Sequence, residues 1–403
     1  MNITPSSAKE RILTIDIIRG FALLGIILAN MAYFKSPVLQ KTGLLYETAP
    51  LPDQALDIFA VVFTDTFVLG KFYPMFSLLF GLGFYLFYER LIQKDLDGKQ
   101  FYKRRLVFLL VIGFIHLVFI WSGDILVTYA LGGFLLLLFI NRTPKFILTW
   151  GILLIAGLSV VMTGLVVLGN FFLQMDAVSE FQAGTSQAVS EAYTVMSQGS
   201  YTEILAFRFT SEIILILGNL PISVLNVFGI FLIGLYFGKQ GWFRNVGEHL
   251  AGWKKIRLHA GWSGILLTAL FAALKFDVTG LPFWMADGLA QGLNLIAGPL
   301  LMLFYVSVMV LLLHGKAPGL ISTSLAAVGK MALTNYLMQS IICVLIFFGF
   351  GFGLYGSVGA FTGMVLAILI YFAQIVFSRV WLTRFNQGPM EALWRKWTYK
   401  KAS

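Results

Sequence analysis

Residues 12–30, ILTIDIIRGFALLGIILAN, form an apolar run that holds Asp16 and Arg19 within it. A bilayer core of about 30 Å takes roughly 20 residues of helix at about 1.5 Å each, so the run is long enough to span. A charged side chain inside a span costs roughly 2.5–3.5 kcal/mol on insertion scales. Asp16 and Arg19 are three apart, so on a helix they share a face and can pair. One reading is a helix-end ion pair whose arginine snorkels to the interface. The other is an arginine facing a cavity near the cytoplasmic side, binding phosphate or carboxylate, with Asp16 fixing its orientation.

The rest of the chain repeats the apolar character. Of 403 residues, 58% are hydrophobic and only 12% charged, beyond what a soluble domain needs to fill its core. The expected class is all-α, a polytopic membrane helical bundle forming a single integral membrane domain. The first run is too long and too charged for a cleaved signal peptide, and no small-residue cleavage site follows it. The single cysteine, Cys343, removes disulfide frameworks and thiolate metal sites. The net charge of +10 sits mostly in short loops between spans, where Lys and Arg meet anionic membrane lipids, so it does not point to nucleic acid.

Ten spans are expected: 13–34, 72–92, 106–121, 124–141, 146–173, 221–239, 258–275, 287–313, 325–350 and 358–380. Placing the basic stretches 94–105, 239–257 and 394–401 on one side puts both termini in the cytoplasm, with the chain multi-pass in the membrane. Residues 203–218, EILAFRFTSEIILILG, would reverse that arrangement if they spanned. They carry Arg208 and Glu212 and end at Asn219-Leu-Pro221, so a non-spanning helix is expected there, either interfacial or packed against the bundle. The extracytoplasmic segments are then 35–70 and 174–220. Asp53, Asp57 and Asp65 suggest a short amphipathic helix in the first; 175–200 reads as a loop or short helical cap. The tail, 388–403, reads as an amphipathic helix on the cytoplasmic surface, with Pro389 in its first turn and Glu391 four before Arg395.

Chemistry has few candidates. In GFIHLVFIWSGDIL (113–126), His116 falls in the outer half of the third span and Asp124 opens the fourth after a Ser-Gly turn. A carboxylate that holds one imidazole tautomer is how a general base is built. The structural alternative bonds His116 to a backbone carbonyl and leaves Asp124 as an N-cap. His249, His259 and His314 lie at helix ends or in loops without metal-ligand spacing, so no metal site is expected. Asn335 and Gln339, four apart, are either interhelical glue or cavity lining, and Asn30, Asn226, Gln291, Asn294 and Gln374 share that choice. The glycines of 348–359 precede no Lys-Ser/Thr and form no nucleotide cradle.

The segments TIDIIRGFALLGIILAN (14–30), KFYPMFSLLFGLGF (71–84), RRLVFLLVIGFIHLVFIWSGDIL (104–126), VGKMALTNYLMQS (328–340) and NQGPMEALWRKWT (386–398) resemble the bacterial YeiB-like membrane proteins, a domain of unknown function. That family is placed, more distantly, among transmembrane acyltransferases, which include the lysosomal heparan glucosaminide acetyltransferase and enzymes that O-acylate surface polysaccharides. The resemblance implies a ten-span bundle that carries an acyl group, typically acetyl, from cytoplasmic acyl-CoA to a glycan or lipid acceptor across the membrane. Polysaccharide acyltransferases of this kind have an arginine, ten residues, then a catalytic histidine. Here Arg19 is followed at that distance by Asn30, and NMAYFKSPVLQ (30–40) holds no histidine.

The leading expectation is therefore acyl transfer with reassigned parts. Arg19, with Asp16 and either Lys71 or Arg105, would hold the CoA end. His116 would be the base, Asp124 its orienter, and Asn30 or Asn335 an oxyanion donor, with Gln339 near the substrate. The alternative is a transporter or lipid-handling protein with a buried charged gate. A purely structural role is the third reading. A homo-oligomer is compatible with all three.

Overall fold

The computed structural model describes residues 12–41, 51–173 and 178–399, and every regular element among them is helical. In order they are α1 (Leu13–Lys35), α2 (Val38–Lys41), α3 (Ala55–Phe63), α4 (Phe72–Ile92), α5 (Gly98–Ile115), α6 (Leu126–Phe139), α7 (Pro144–Leu173) and α8 (Val178–Gln198). The remainder are α9 (Tyr201–Arg208), α10 (Ile214–Lys239), α11 (Leu250–Lys275), α12 (Phe283–Leu313), α13 (Leu320–Lys330), α14 (Ala332–Phe347), α15 (Ala360–Arg384) and α16 (Pro389–Thr398). Single π-helical turns extend α3 over Thr64–Val68 and α5 over His116–Ile120, and join α9 to α10 over Phe209–Ile213.

Six helices among the described residues are long and apolar enough to cross a membrane: α1, α7, the continuous Tyr201–Lys239 helix, α11, α12 and α15. Their outward faces carry Leu, Ile, Val and Phe, as along α7, where Val160, Leu165 and Phe172 are exposed. That is the pattern of helices solvated by lipid.

Three expectations are corrected. Residues 203–218 are not a separate helix, because Asn219 and Pro221 do not end it: Pro221 lies inside α10, and a π turn joins α9 to α10 without a break. Residues 175–200 take the helical alternative and are longer than a short cap: from Val178 they form the 21-residue α8, whose Ala192 and Met196 are buried. Residues 325–350 are not one span either. They divide at Met331 into α13 and α14, bent by 81°. In the 35–70 segment the expected short helix is α3, and Asp57 accepts the Phe361 amide at 2.6 Å at the start of α15. Part of that segment (42–50) and the last residues of the tail (400–403) lie outside the described residues.

The polar ends of the helices are tied together on one side. Glu89 pairs with Arg244, Lys239 Nζ donates to the Arg142 carbonyl at 2.7 Å, and α16 packs on α5. We refer to this side as the basic end. Near it α1 crosses α13 with no room for side chains: a Cβ on Gly20 would stand 2.0 Å from the Leu325 carbonyl oxygen, and one on Gly329 1.9 Å from that of Asp16. Only glycine allows backbones this close. The contact fixes the Asp16–Arg19 turn beside the α13–α14 bend.

Candidate functional site

A cavity of about 990 Å³ opens between α1, α4, α5, α14 and α16. It is at the upper end of the volumes typical of small-molecule sites. Its wall changes chemistry with depth.

At the basic end the lining includes Arg19, Arg90, Arg105, Lys330 and Arg395. Arg19 Nη1 stands 3.4 Å from Asp16 Oδ1, the pairing expected from their spacing; Asp16 is buried and Arg19 partly exposed to the cavity. The Arg105 guanidinium lies 3.7 Å from the Trp394 ring centroid and 5.2 Å from that of Phe87. Trp394 Nε1 also donates to the Arg105 carbonyl at 2.8 Å, so α16 both clamps this arginine and forms cavity wall. Tyr102, one turn before Arg105, lines the same space, and its buried hydroxyl finds no partner among the described residues.

The bend at Met331 is held by the same tail helix. Glu391 accepts the amides of Leu333 (2.7 Å) and Thr334 (3.1 Å) and the Thr334 hydroxyl (2.6 Å). A carboxylate at the start of α14 satisfies amides that a helix N-terminus leaves open. Arg395, four residues on, bonds Gln387 Oε1 at 3.2 Å.

Further in, the wall turns apolar, with Ile26, Phe76, Leu79, Phe80 and Tyr129. It ends at Tyr336, whose hydroxyl donates to the Gly123 carbonyl at 3.3 Å and whose ring centroid is 5.3 Å from that of His116. His116 lies just beyond that wall, fully buried in the π turn that closes α5, where Trp121 N donates to the His116 carbonyl at 2.8 Å. Its Nδ1 is 2.9 Å from Asp124 Oδ1, while Asp124 Oδ2 accepts the Val127 amide at 2.8 Å in the first turn of α6. Asp124 thus plays both roles open to it in the sequence. Its acceptor-only carboxylate assigns the proton to Nδ1 and leaves Nε2 with a lone pair. Nε2 has no partner among the described residues.

The other expected site residues lie elsewhere. Asn335 donates to the Val328 carbonyl and to Ser378 Oγ (2.9 Å), and Gln339 to Gln374 Oε1 (2.9 Å) and the Leu23 carbonyl. Gln374 returns a bond to the Asn335 carbonyl. This network joins α1, α13, α14 and α15 and does not line the cavity, because buried amides in an apolar bundle satisfy one another first. Asn30 is half-buried on α1, outside the cavity wall. Lys71 is buried against Asn294 Oδ1 (2.9 Å) and the Leu69 carbonyl, also away from the cavity. Sequence reasoning missed Tyr102 and Tyr336. Tyr102 sits one turn from Arg105 on one helix face, a signal that was readable; Tyr336 meets Gly123 across 213 positions and leaves no local trace.

The fold and cavity describe a helical bundle of membrane type whose deep pocket grades from cationic to apolar. The C-terminal part, residues 237–401, matches the family model described as "Protein of unknown function (DUF418)". The chain is 35% identical to the uncharacterized protein YxaH of Bacillus subtilis, covering 99% of this chain and 96% of that one. It is 29% identical to the uncharacterized protein YeiB of Escherichia coli, covering 98% and 97%. It belongs to the YeiB-like DUF418 family.

Proposed function

We propose that this protein is a transmembrane acyltransferase that takes an acyl group from acyl-CoA on the cytoplasmic side and delivers it to a glycan or lipid hydroxyl on the other. On this reading α4, α5, α6 and the bent α13–α14 pair cross the bilayer as well, giving ten spans. One observation carries the reading. A single cavity leads from a cluster of arginines at the basic end to Tyr336, and His116, oriented by Asp124, is in ring contact behind it.

The parts fit the chemistry in sequence. Phosphates and a flat base suit cationic and aromatic walls, so Arg19, Arg105 and Trp394 would take the nucleotide end. The apolar throat would take the pantetheine arm and acyl chain. At the far end, Nε2 of His116 accepts the proton of the acceptor hydroxyl as its oxygen attacks the thioester carbonyl. The tetrahedral intermediate collapses with cleavage of the C–S bond, and the imidazolium returns the proton to the departing thiolate. Asp124 stabilises that imidazolium. Tyr336 must swing aside for Nε2 to meet the thioester, and its hydroxyl is then the nearest donor for the oxyanion.

The test uses full-length protein in nanodiscs with radiolabelled acetyl-CoA and total lipid and glycan extracts. Label should move to an acceptor, and His116→Ala should abolish transfer while leaving acetyl-CoA bound. Losing one charge-assisted contact is worth about 1.5–3 kcal/mol, so Arg19→Ala or Arg105→Ala should weaken binding by roughly 10- to 100-fold. Absence of both binding and transfer overturns the proposal.

A further inference from the structure

The turn that carries His116 is an unusual helix end. α5 closes with a π turn and stops at an extended Trp121 (φ −157°, ψ 136°), so the last carbonyls have no helical amide to meet. Such groups must be satisfied by other means, all the more so where water is scarce. Three of the four carbonyls between Leu117 and Ile120 are taken by α9. Tyr201 Oη donates to the Phe119 carbonyl at 2.9 Å; Arg208 donates from Nη1 to that of Ile120 at 3.1 Å and from Nη2 to that of Leu117 at 2.7 Å. Arg208 is 2% exposed. Its charge is balanced by Glu212, 3.5 Å from Nε, and Gln40 Nε2 stands 3.4 Å from Glu212 Oε1. Glu212 belongs to the second π turn, Phe209–Ile213, which packs against the one bearing His116.

We propose that Arg208 is a positioning residue for His116: its two-carbonyl grip fixes the π turn and so aims the imidazole at Asp124. A guanidinium is the side chain for this task, because its rigid fork reaches two carbonyls at once and still presents Nε to a carboxylate. A lysine in its place could serve one acceptor well. π turns recur at functional sites because they displace a side chain from helical register, and they persist only where the surroundings hold them. Here the holder is a buried ion pair from a distant part of the chain. The inference rests on the acyl-transfer reading for its catalytic consequence but not for its geometry.

The experiment compares wild type, Arg208→Lys, Tyr201→Phe and the double variant Arg208→Gln/Glu212→Gln, each full length in nanodiscs. The double variant avoids stranding a buried carboxylate. The chain has four histidines, so ¹⁵N-histidine spectra are simple, and His116 is assigned by its loss in His116→Gln. Both Arg208 variants should shift the His116 ring resonances, with acetyl-CoA affinity within twofold of wild type. The kcat for acyl transfer should fall at least tenfold at unchanged KM, with Arg208→Lys retaining more activity than the double variant. Tyr201→Phe should shift the same resonances less. His116 spectra identical to wild type in any folded Arg208 variant overturn the proposal. So does failure of both Arg208 variants to yield folded protein by thermal melting, since Arg208 would then hold the bundle and not the ring. Absence of transfer in the wild type defeats the acyltransferase reading alone and leaves the spectral comparison standing.

Discussion

Asp124 must do two things with one carboxylate: hold the Nδ1 proton of His116 and accept the Val127 amide. Asparagine can do only the second without cost, because its carbonyl oxygen can still cap α6 while its amide turns a donor toward the ring. The imidazole would then carry its proton on Nε2, the wrong tautomer for a base. Asp124→Asn should therefore fold normally yet lose transfer by about 10³- to 10⁴-fold, the scale seen when a base's orienting carboxylate is replaced. Asp124→Ala should lose the same activity and about 1 kcal/mol of stability as well, from the missing cap. Transfer rates and thermal melts of the two variants separate the roles. At this scale the sequence was readable where partners are near in the chain: His116 and Asp124 flank one turn, and Asp16 and Arg19 share a helix face. It left the choice open where composition stood in for contact. Asn335 and Gln339 have the residue types of a polar site, but each is bonded to a neighbouring helix. Nothing in a local window distinguishes those outcomes.

Among elements, the bent α13–α14 pair departs most from its sequence reading. Hydropathy adds up residues and is blind to direction, so a bent pair scores like a straight span. The cap at the bend comes from elsewhere in the chain, from Glu391 of the tail helix, which bonds the start of α14. A breaker rule is as blind at 203–218, where Pro221 reads as a helix end although the helix runs on through it. Glu391→Gln keeps the size and one acceptor oxygen but removes the charge that faces the helix N-terminus. Hydrogen bonds to charged groups contribute about 1.5–3 kcal/mol each way, so this variant should lose stability on that order. Because α16 also clamps Arg105, acetyl-CoA binding should weaken with it. Melting followed by tryptophan fluorescence and a binding isotherm check both effects; an unchanged melt would mean the tail is an independent surface helix.

Across the whole molecule, helical class and membrane character followed directly from composition, since so few charges cannot clothe a soluble surface. Charge placement carries an expectation of orientation, and the cavity sharpens it into a prediction. Leu13 at the start of α1, Arg90 at the end of α4, and Arg395 and Tyr399 in the tail all line the cavity's basic end. Loops rich in Lys and Arg remain in the cytoplasm, so the mouth should open there, where acyl-CoA is found. Ser357, between α14 and α15, and the His116 turn lie toward the opposite end. The single cysteine, Cys343, is buried, so Cys343→Ser gives a clean background. In that background Asn386→Cys, at the mouth, should react with an impermeant maleimide only in inverted vesicles, and acetyl-CoA should slow the reaction. Ser357→Cys should react only in intact spheroplasts and be indifferent to acetyl-CoA. The reverse pattern would place the arginine cluster outside the cell, away from any CoA, and the acyl donor assigned to this cavity would have to be abandoned even if ligand binding survived.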